Sequence, residues 1–168
     1  MNILFIGFKG CGKTFFGEAV AKELGLDFID IDDVIEDIHA EGISCRQIYK
    51  KYGKESFRNM ETKALKKLKQ VKDSVIALGG GTLDKEENRA IVKSLGRKVY
   101  LKRNPKFLFR KIEKEGFPPF FDKKDPRRSF DELYETRTKY YKVSADIIFD
   151  GVDKDDLTIK EELVILLR

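Results

Sequence analysis

Short apolar runs alternate along the chain with longer stretches in which apolar residues recur every three or four positions. The first pattern is typical of buried parallel strands, and the second of amphipathic helices that cover a sheet. Strands are predicted at 2–6, 27–31, 74–78, 98–101 and 146–149. Helices are predicted at 13–24, 34–40, 45–52, 55–71, 85–95, 105–115 and 131–143, with a last helix from about 155. The pattern therefore predicts an α/β domain built on a parallel sheet.

One segment, 115–128, follows neither pattern. It is rich in proline, phenylalanine and charged residues, a composition typical of a loop. Because long loops in compact domains often carry function, we expect a mobile lid here.

Charged residues make up 38% of the chain and leave a net charge of +5. This charge indicates either an anionic ligand or a lysine-rich solvated surface. The absence of a basic run interleaved with aromatic residues disfavours nucleic acid. Two cysteines, Cys11 and Cys45, are too few for a disulfide framework. With no apolar run near ~18 residues and no secretory leader pattern, we expect a cytoplasmic protein without a membrane partner.

Residues 7–14, G-F-K-G-C-G-K-T, match the phosphate-binding loop G-x-x-x-x-G-K-[ST] between a predicted strand and a predicted helix. The glycines let backbone N–H groups turn toward phosphate oxygens, and the helix N-terminus adds its positive end. We expect Lys13 to reach the β- and γ-phosphates and Thr14 to bind Mg²⁺. The loop thus predicts a nucleotide donor but does not name the acceptor.

Two carboxylates lie at the end of the second predicted strand. Asp30 and Asp32 come at the carboxyl edge of the sheet, where ligands of open parallel sheets bind. If the strand persists, they share one side, so that one can serve Mg²⁺ while the other accepts a proton. The alternative is an acidic N-cap cluster for the next helix.

Two further features suit a small acidic acceptor. Arg58 and Glu61 are three residues apart on one helix face, where the carboxylate can hold the guanidinium for a substrate carboxylate. An exposed ion pair is the alternative. The glycines 79–81 follow a predicted strand and let the backbone approach a ligand closely, although an ordinary tight turn would also use glycine.

Six segments in this order resemble the shikimate kinases: G-F-K-G-C-G-K-T, F-I-D-I-D, G-K-E-S-F-R-N-M-E, V-I-A-L-G-G-G, V-Y-L-K and Y-E-T-R-T-K-Y-Y. The resemblance covers nearly the whole chain. It implies a single domain, 1–168, with a three-layer P-loop nucleotide-kinase-like fold. The sheet would be five-stranded and parallel, in the order 2-3-1-4-5 and flanked by helices. The implied reaction transfers the γ-phosphoryl of ATP to the 3-hydroxyl of shikimate, toward chorismate and the aromatic amino acids. The implied enzyme is a magnesium-dependent monomer.

The resemblance also assigns roles to residues. Lys13 and Asp32 are the implied catalytic residues, and 32–71 is the implied shikimate-binding region. The implied nucleotide contacts are Gly10, Cys11, Gly12, Lys13, Thr14, Phe15 and Arg110, with the turn after strand 146–149 beside the adenine. The implied magnesium ligands are Thr14 and Asp30. The implied shikimate contacts are Asp32, Arg58, Gly79, Gly80, Gly81 and Arg137, with Glu61 fixing Arg58.

The lid departs from the family pattern. Residues 118–121 read Pro-Pro-Phe-Phe where the family carries Arg-Pro-Leu-Leu, so a proline replaces the lid arginine. We hypothesise that a nearby cation substitutes for it, with Arg127 and Arg128 preferred for their fork geometry. The candidates are Lys111, Lys114, Lys123, Lys124, Arg127 and Arg128. The alternative is that these are surface charges. The paired phenylalanines predict an apolar plug that excludes water.

Three other functions compete with this interpretation. Another P-loop small-molecule kinase, for gluconate or a nucleotide monophosphate, shares the loop but gives no reason for Arg58, Arg137 and the three glycines. A weakened nucleotide-binding regulator is favoured only by the missing lid arginine and predicts ATP binding without shikimate-dependent ADP release. A nucleic-acid binder rests on net charge alone and predicts salt-dependent binding to DNA.

Overall fold

Five parallel strands form one sheet at the centre of the structure, a computed structural model that describes residues 1–168. The strands are β1 (Ile3–Ile6), β2 (Asp27–Asp30), β3 (Ser74–Ala77), β4 (Arg97–Lys102) and β5 (Ile147–Asp150). Their spatial order is β2-β3-β1-β4-β5, and every neighbouring pair is parallel. The predicted sheet is therefore confirmed in both order and direction.

Seven α-helices and one 3₁₀ turn connect the strands. They are α1 (Lys13–Leu24), α2 (Ile31–His39), α3 (Cys45–Leu68), the 3₁₀ turn (Thr82–Asp84), α4 (Glu86–Leu95), α5 (Pro105–Glu115), α6 (Pro126–Ser144) and α7 (Asp156–Leu167). Every residue of β1 and of β3 is buried, so both faces of the central sheet are covered. None of the helices combines the length and apolar content that crossing a bilayer requires.

The central position of β1 places the phosphate loop in the middle of the sheet edge. Phe5 of β1 is fully buried and lies in register with Ala77 of β3 and Val99 of β4. The chain that leaves β1 therefore emerges between the segments that follow β3 and β4. Because the strands are parallel, all of these segments meet at the carboxyl edge, where open α/β sheets bind ligands.

Helix α3 joins two helices that the sequence predicts separately. Its N-terminus carries a capping box, in which the Ser44 side chain accepts from the backbone N–H of Gln47 and the Gln47 side chain accepts from the Ser44 N–H. Gly53, with φ 83° and ψ 176°, interrupts the helical geometry. This kink divides α3 into two helical segments that correspond to the predicted helices 45–52 and 55–71.

Helix α2 begins three residues earlier than predicted. The Asp30 carboxylate accepts from the backbone N–H of Asp32 at 3.0 Å and caps the helix, so β2 ends at Asp30 and Ile31 is already helical. The expectation that the strand persists and alternation aligns Asp30 with Asp32 is therefore wrong. Asp30 is an N-cap, as the alternative held, and Asp32 lies in the first helical turn.

Helix α6 begins five residues earlier than predicted. The Asp125 side chain accepts from the backbone N–H of Arg128 at 3.0 Å, and Pro126 occupies the first turn, where its missing N–H is not needed. The connection between α5 and α6 is therefore residues 116–125, hereafter the α5–α6 loop. It is shorter than the expected lid, 115–128, and leaves Arg127 and Arg128 on the helix.

Candidate active site

The phosphate loop connects β1 to α1. Gly10 and Gly12 adopt φ values of 83° and 99°, a left-handed backbone that favours glycine. Lys13 folds back over the loop and donates from Nζ to the carbonyl oxygens of Gly7 and Phe8 at 2.9 and 3.1 Å. No side chain caps the N-terminus of α1, so its N–H groups remain available to an anion. The loop has the geometry that the sequence predicts for a phosphate site.

Two implied nucleotide contacts differ in exposure. The Cys11 side chain is buried, with 1% of the residue exposed, so only its backbone can reach a phosphate. The Phe15 ring is 58% exposed and packs edge-on against Phe16 at 5.1 Å. Cys11 can therefore contribute to nucleotide binding through its backbone N–H, whereas the Phe15 side chain is open to solvent.

A hydroxyl and a carboxylate meet beside the loop. Thr14 Oγ1 donates to Asp30 Oδ2 at 2.7 Å and links the start of α1 to the end of β2. Oxygen atoms of this kind are the ligands that Mg²⁺ prefers, and Mg²⁺ commonly completes its shell with water and substrate phosphates. No cluster of three or more metal-binding side chains is present. The pair thus suits a magnesium ion that is held jointly with a nucleotide.

Asp32 projects into the same space from the first turn of α2. Its side chain remains accessible to water, but it lies inside a cavity whose walls displace much of its hydration. This burial, reinforced by the negative charges of Asp30 and Glu61, raises the pKa of Asp32 to about 6, and Lys13 opposes the shift. A carboxylate with such a pKa is ionised at neutral pH yet is more basic than an ordinary aspartate.

Two arginines line the same cavity as the phosphate loop, Arg137 buried and Arg58 half-buried, and we call them the arginine clamp. Arg58 pairs with Glu61, three residues along α3, as the sequence predicts. The carboxylate of Asp84 then joins the two arginines. It accepts from Nη2 of Arg58 at 3.3 Å and from Nε and Nη2 of Arg137 at 3.1 and 2.9 Å. Asp84 is thus a member of the site that sequence reasoning missed.

The three glycines after β3 form the floor between these groups. A side chain at Gly81 would overlap the guanidinium groups of both Arg58 and Arg137. At Gly80, a Cβ would lie 3.1 Å from the backbone nitrogen of Lys9 in the phosphate loop. The Gly80 carbonyl oxygen is held by the hydroxyl of Tyr141. Close approach of three separate elements therefore explains why side chains are missing here.

One cavity of about 360 Å³ contains the predicted donor and acceptor groups together. Its polar wall is formed by Lys9, Gly10, Lys13, Thr14, Asp30, Asp32, Arg46, Arg58, Glu61, Gly79, Gly80, Gly81 and Arg137. Its apolar wall is formed by Tyr49, Phe57, Ala77, Leu78, Pro118, Pro119 and Phe120, with Cys45 beside them. A cavity of this size fits a small polar molecule beside a phosphate group.

A second cavity, of about 340 Å³, lies next to α5 and the turn after β5. Arg110 lines it, as does Gly151 of the turn that the resemblance places beside adenine. Sequence reasoning missed Arg103, which also lines this cavity. Arg103 is buried, pairs with Asp156 at 3.1 Å and packs over the Phe107 ring at 4.5 Å. The cavity therefore offers cationic and aromatic surfaces for a flat ring.

The α5–α6 loop covers the first cavity with apolar residues. Pro118 lines the cavity and has no donor, while Phe120 contacts Tyr49 with ring centroids 5.5 Å apart. The two cations that the sequence favours as substitutes, Arg127 and Arg128, lie on α6 outside this cavity. Because α6 starts early, each pairs with a carboxylate four residues along that helix, at 3.0 and 2.8 Å. None of the six candidate cations lines the cavity.

Comparisons with known proteins agree with this geometry. The sequence profile of the family described as Shikimate kinase matches residues 9–168. A shikimate kinase of Caldanaerobacter subterraneus subsp. tengcongensis is 36% identical over 163 residues, which cover 97% of this chain and 94% of the relative. A solved structure described as shikimate kinase from Acinetobacter baumannii in complex with shikimate is 28% identical, with a TM-score of 0.89 and coverage of 99% and 92%. A crystal structure of shikimate kinase from Aquifex aeolicus is 30% identical, with a TM-score of 0.78. The match covers 99% of this chain and 96% of that one. The chain belongs to the shikimate kinase family.

Proposed function

We propose that this chain transfers the γ-phosphoryl group of ATP to the 3-hydroxyl of shikimate. The observation that carries the proposal is the single cavity in which a phosphate-binding loop faces an arginine clamp across a carboxylate. A phosphate donor and a small carboxylic acid bearing hydroxyls are the two molecules that these groups suit. Two anionic substrates also account for the net charge of +5, so we propose no nucleic-acid or membrane partner.

The donor side holds ATP. Backbone N–H groups of the phosphate loop and the N-terminus of α1 bind the phosphates, and Lys13 moves from the loop carbonyls to the β- and γ-phosphates. Arg110 and Arg103 line the cavity proposed for adenine. Thr14 and Asp30 would hold Mg²⁺, which when bound neutralises phosphate charge.

The acceptor side orients shikimate. The arginine clamp binds the carboxylate, and Asp32 accepts a hydrogen bond from the reacting hydroxyl. A bond forms between the 3-oxygen and the γ-phosphorus as the bond from that phosphorus to the bridging oxygen of ADP breaks. The hydroxyl proton passes to Asp32. Most of the rate enhancement comes from positioning and from neutralised charge, because phosphoryl transfer needs little covalent help.

A coupled ADP-release assay tests the proposal. ADP release should depend on shikimate and on Mg²⁺, and mass spectrometry with ³¹P NMR should identify a phosphate on the 3-oxygen. Gluconate and nucleoside monophosphates serve as competing acceptors. Asp32→Asn should lower kcat at least about a hundredfold, because it removes the proton acceptor. ATP binding without any shikimate-dependent release would overturn the proposal.

A further inference from the structure

Five cationic side chains line the cavity in which transfer is proposed: Lys9, Lys13, Arg46, Arg58 and Arg137. Both members of the arginine clamp pair with carboxylates, and Lys13 donates to carbonyl oxygens of the phosphate loop. Neither Lys9 nor Arg46 forms an ion pair, since no carboxylate oxygen lies within 4.0 Å of their side-chain nitrogens. The charges of these two residues are therefore available to an anionic ligand.

Lys9 lies where the two halves of the site meet. It belongs to the phosphate loop, and its backbone nitrogen is 3.1 Å from the position that a Cβ on Gly80 would take. Burial by the cavity walls and, next in size, the charge of Arg46 lower the pKa of Lys9. Two cations without carboxylate partners thus line the same cavity at the junction of the phosphate and acceptor sites. An anion between them would relieve their repulsion.

Arg46 connects this junction to the α5–α6 loop. It is the second residue of α3, where a positive charge is disfavoured by the helix dipole, so helix stability gives no reason for it. Its Nη2 donates to the carbonyl oxygen of Phe117 at 3.0 Å. Both of its terminal nitrogens lie 3.8 Å from the position of a Cβ on Gly116. Arg46 therefore contacts the loop that covers the cavity while its charge stays at the cavity wall.

We propose that Lys9 and Arg46 contact the phosphoryl group during transfer and neutralise the charge that develops on its equatorial oxygens. This inference rests on the proposed function and extends it. Lys9 extends from the phosphate loop, and Arg46 extends from the start of α3, where it also holds the Phe117 carbonyl oxygen of the α5–α6 loop. Together they supply the positive charge that Pro118 cannot supply. Charge held in place for a transition state in a water-poor site is among the largest contributions to catalysis.

Alanine substitutions test the proposal. Lys9→Ala and Arg46→Ala should each lower kcat at least about tenfold, while KM for ATP and for shikimate changes less than about threefold. Lys142→Ala, which removes an exposed charge on α6, is the control and should keep wild-type kinetics. Lys111→Ala examines a sequence-based candidate whose side chain lies beside Gly10 of the phosphate loop, and it should also keep kcat, because Lys111 does not line the cavity.

A transition-state mimic separates a direct role from a structural one. ADP, aluminium fluoride and shikimate should bind the wild type far more tightly than ADP and shikimate do. In both alanine variants, the gain in affinity that aluminium fluoride brings should fall at least about tenfold, while the affinities for ADP and shikimate stay unchanged. Variants that keep kcat within twofold and retain the full gain would overturn the inference. A wild type without shikimate-dependent ADP release would instead refute the proposed function itself.

Discussion

Asp84 holds Arg137 through two parallel hydrogen bonds, from Nε at 3.1 Å and from Nη2 at 2.9 Å. The same carboxylate reaches Nη2 of Arg58 at 3.3 Å, so one acidic residue bridges two guanidinium groups that would otherwise repel each other. Bidentate pairing fixes the plane of a guanidinium as well as its position. The geometry that we propose for shikimate binding therefore depends on a residue that does not itself need to touch shikimate.

Replacing Asp84 tests this positioning role. In Asp84→Asn, the clamp loses the charge that keeps its arginines together, and KM for shikimate should rise about tenfold with kcat nearly unchanged. Steady-state kinetics at saturating ATP measure both parameters. Asp84→Glu should recover part of the affinity because it retains the charge. A lower KM in Asp84→Asn would show that Asp84 competes with the substrate carboxylate instead of preparing its site.

Gly81 should tolerate no side chain. A methyl group at this position overlaps both members of the arginine clamp, so Gly81→Ala should displace them and weaken shikimate binding at least about tenfold. Nucleotide binding should stay near the wild-type level, because the atoms nearest to a Cβ at Gly81 belong to the arginine clamp. Isothermal titration with each substrate separates the two effects. Thermal unfolding of Gly81→Ala checks that a loss of shikimate binding is not a loss of the fold.

The sequence predicted features whose causes are local. The glycine spacing of residues 7–14 implied the loop and the start of α1, and the apolar runs implied all five strands. Contacts between distant segments could not be predicted in this way. Asp84 meets Arg137 across 53 positions, and Arg46 meets Phe117 across 71. The early start of α6 was missed because Pro126 reads as a loop residue, although it also suits a first helical turn.

The lowered pKa of Lys9 predicts a basic limb in the pH profile. Burial and the charges of Arg46 and Lys13 favour the neutral amine, while Glu115 and Asp32 oppose the shift without cancelling it. Rising pH should therefore remove the Lys9 proton before those of ordinary lysines, and kcat/KM should fall with it.

An arginine at the same position separates Lys9 from the other groups that titrate at high pH. Lys9→Arg keeps its charge throughout the measured range, so its kcat/KM should persist to higher pH than that of the wild type. Arg46→Lys provides the opposite comparison, since it adds a titratable amine to the cavity. Identical basic limbs in the wild type and in Lys9→Arg would contradict the assignment.

Phe120 is positioned to keep water from ATP. It is 42% exposed, lines the transfer cavity and packs against Tyr49 and Phe121, with ring centroids 5.5 and 5.6 Å apart. If the α5–α6 loop closes as an apolar plug, Phe120→Ala should admit water and raise ATP hydrolysis in the absence of shikimate about threefold. ADP release without acceptor measures this idle rate directly. Val143→Ala, which shortens a side chain 88% exposed on α6, should leave it unchanged. An idle rate equal to that of the wild type would mean that Phe120 shapes the acceptor wall only, and a raised KM for shikimate would then be its main effect.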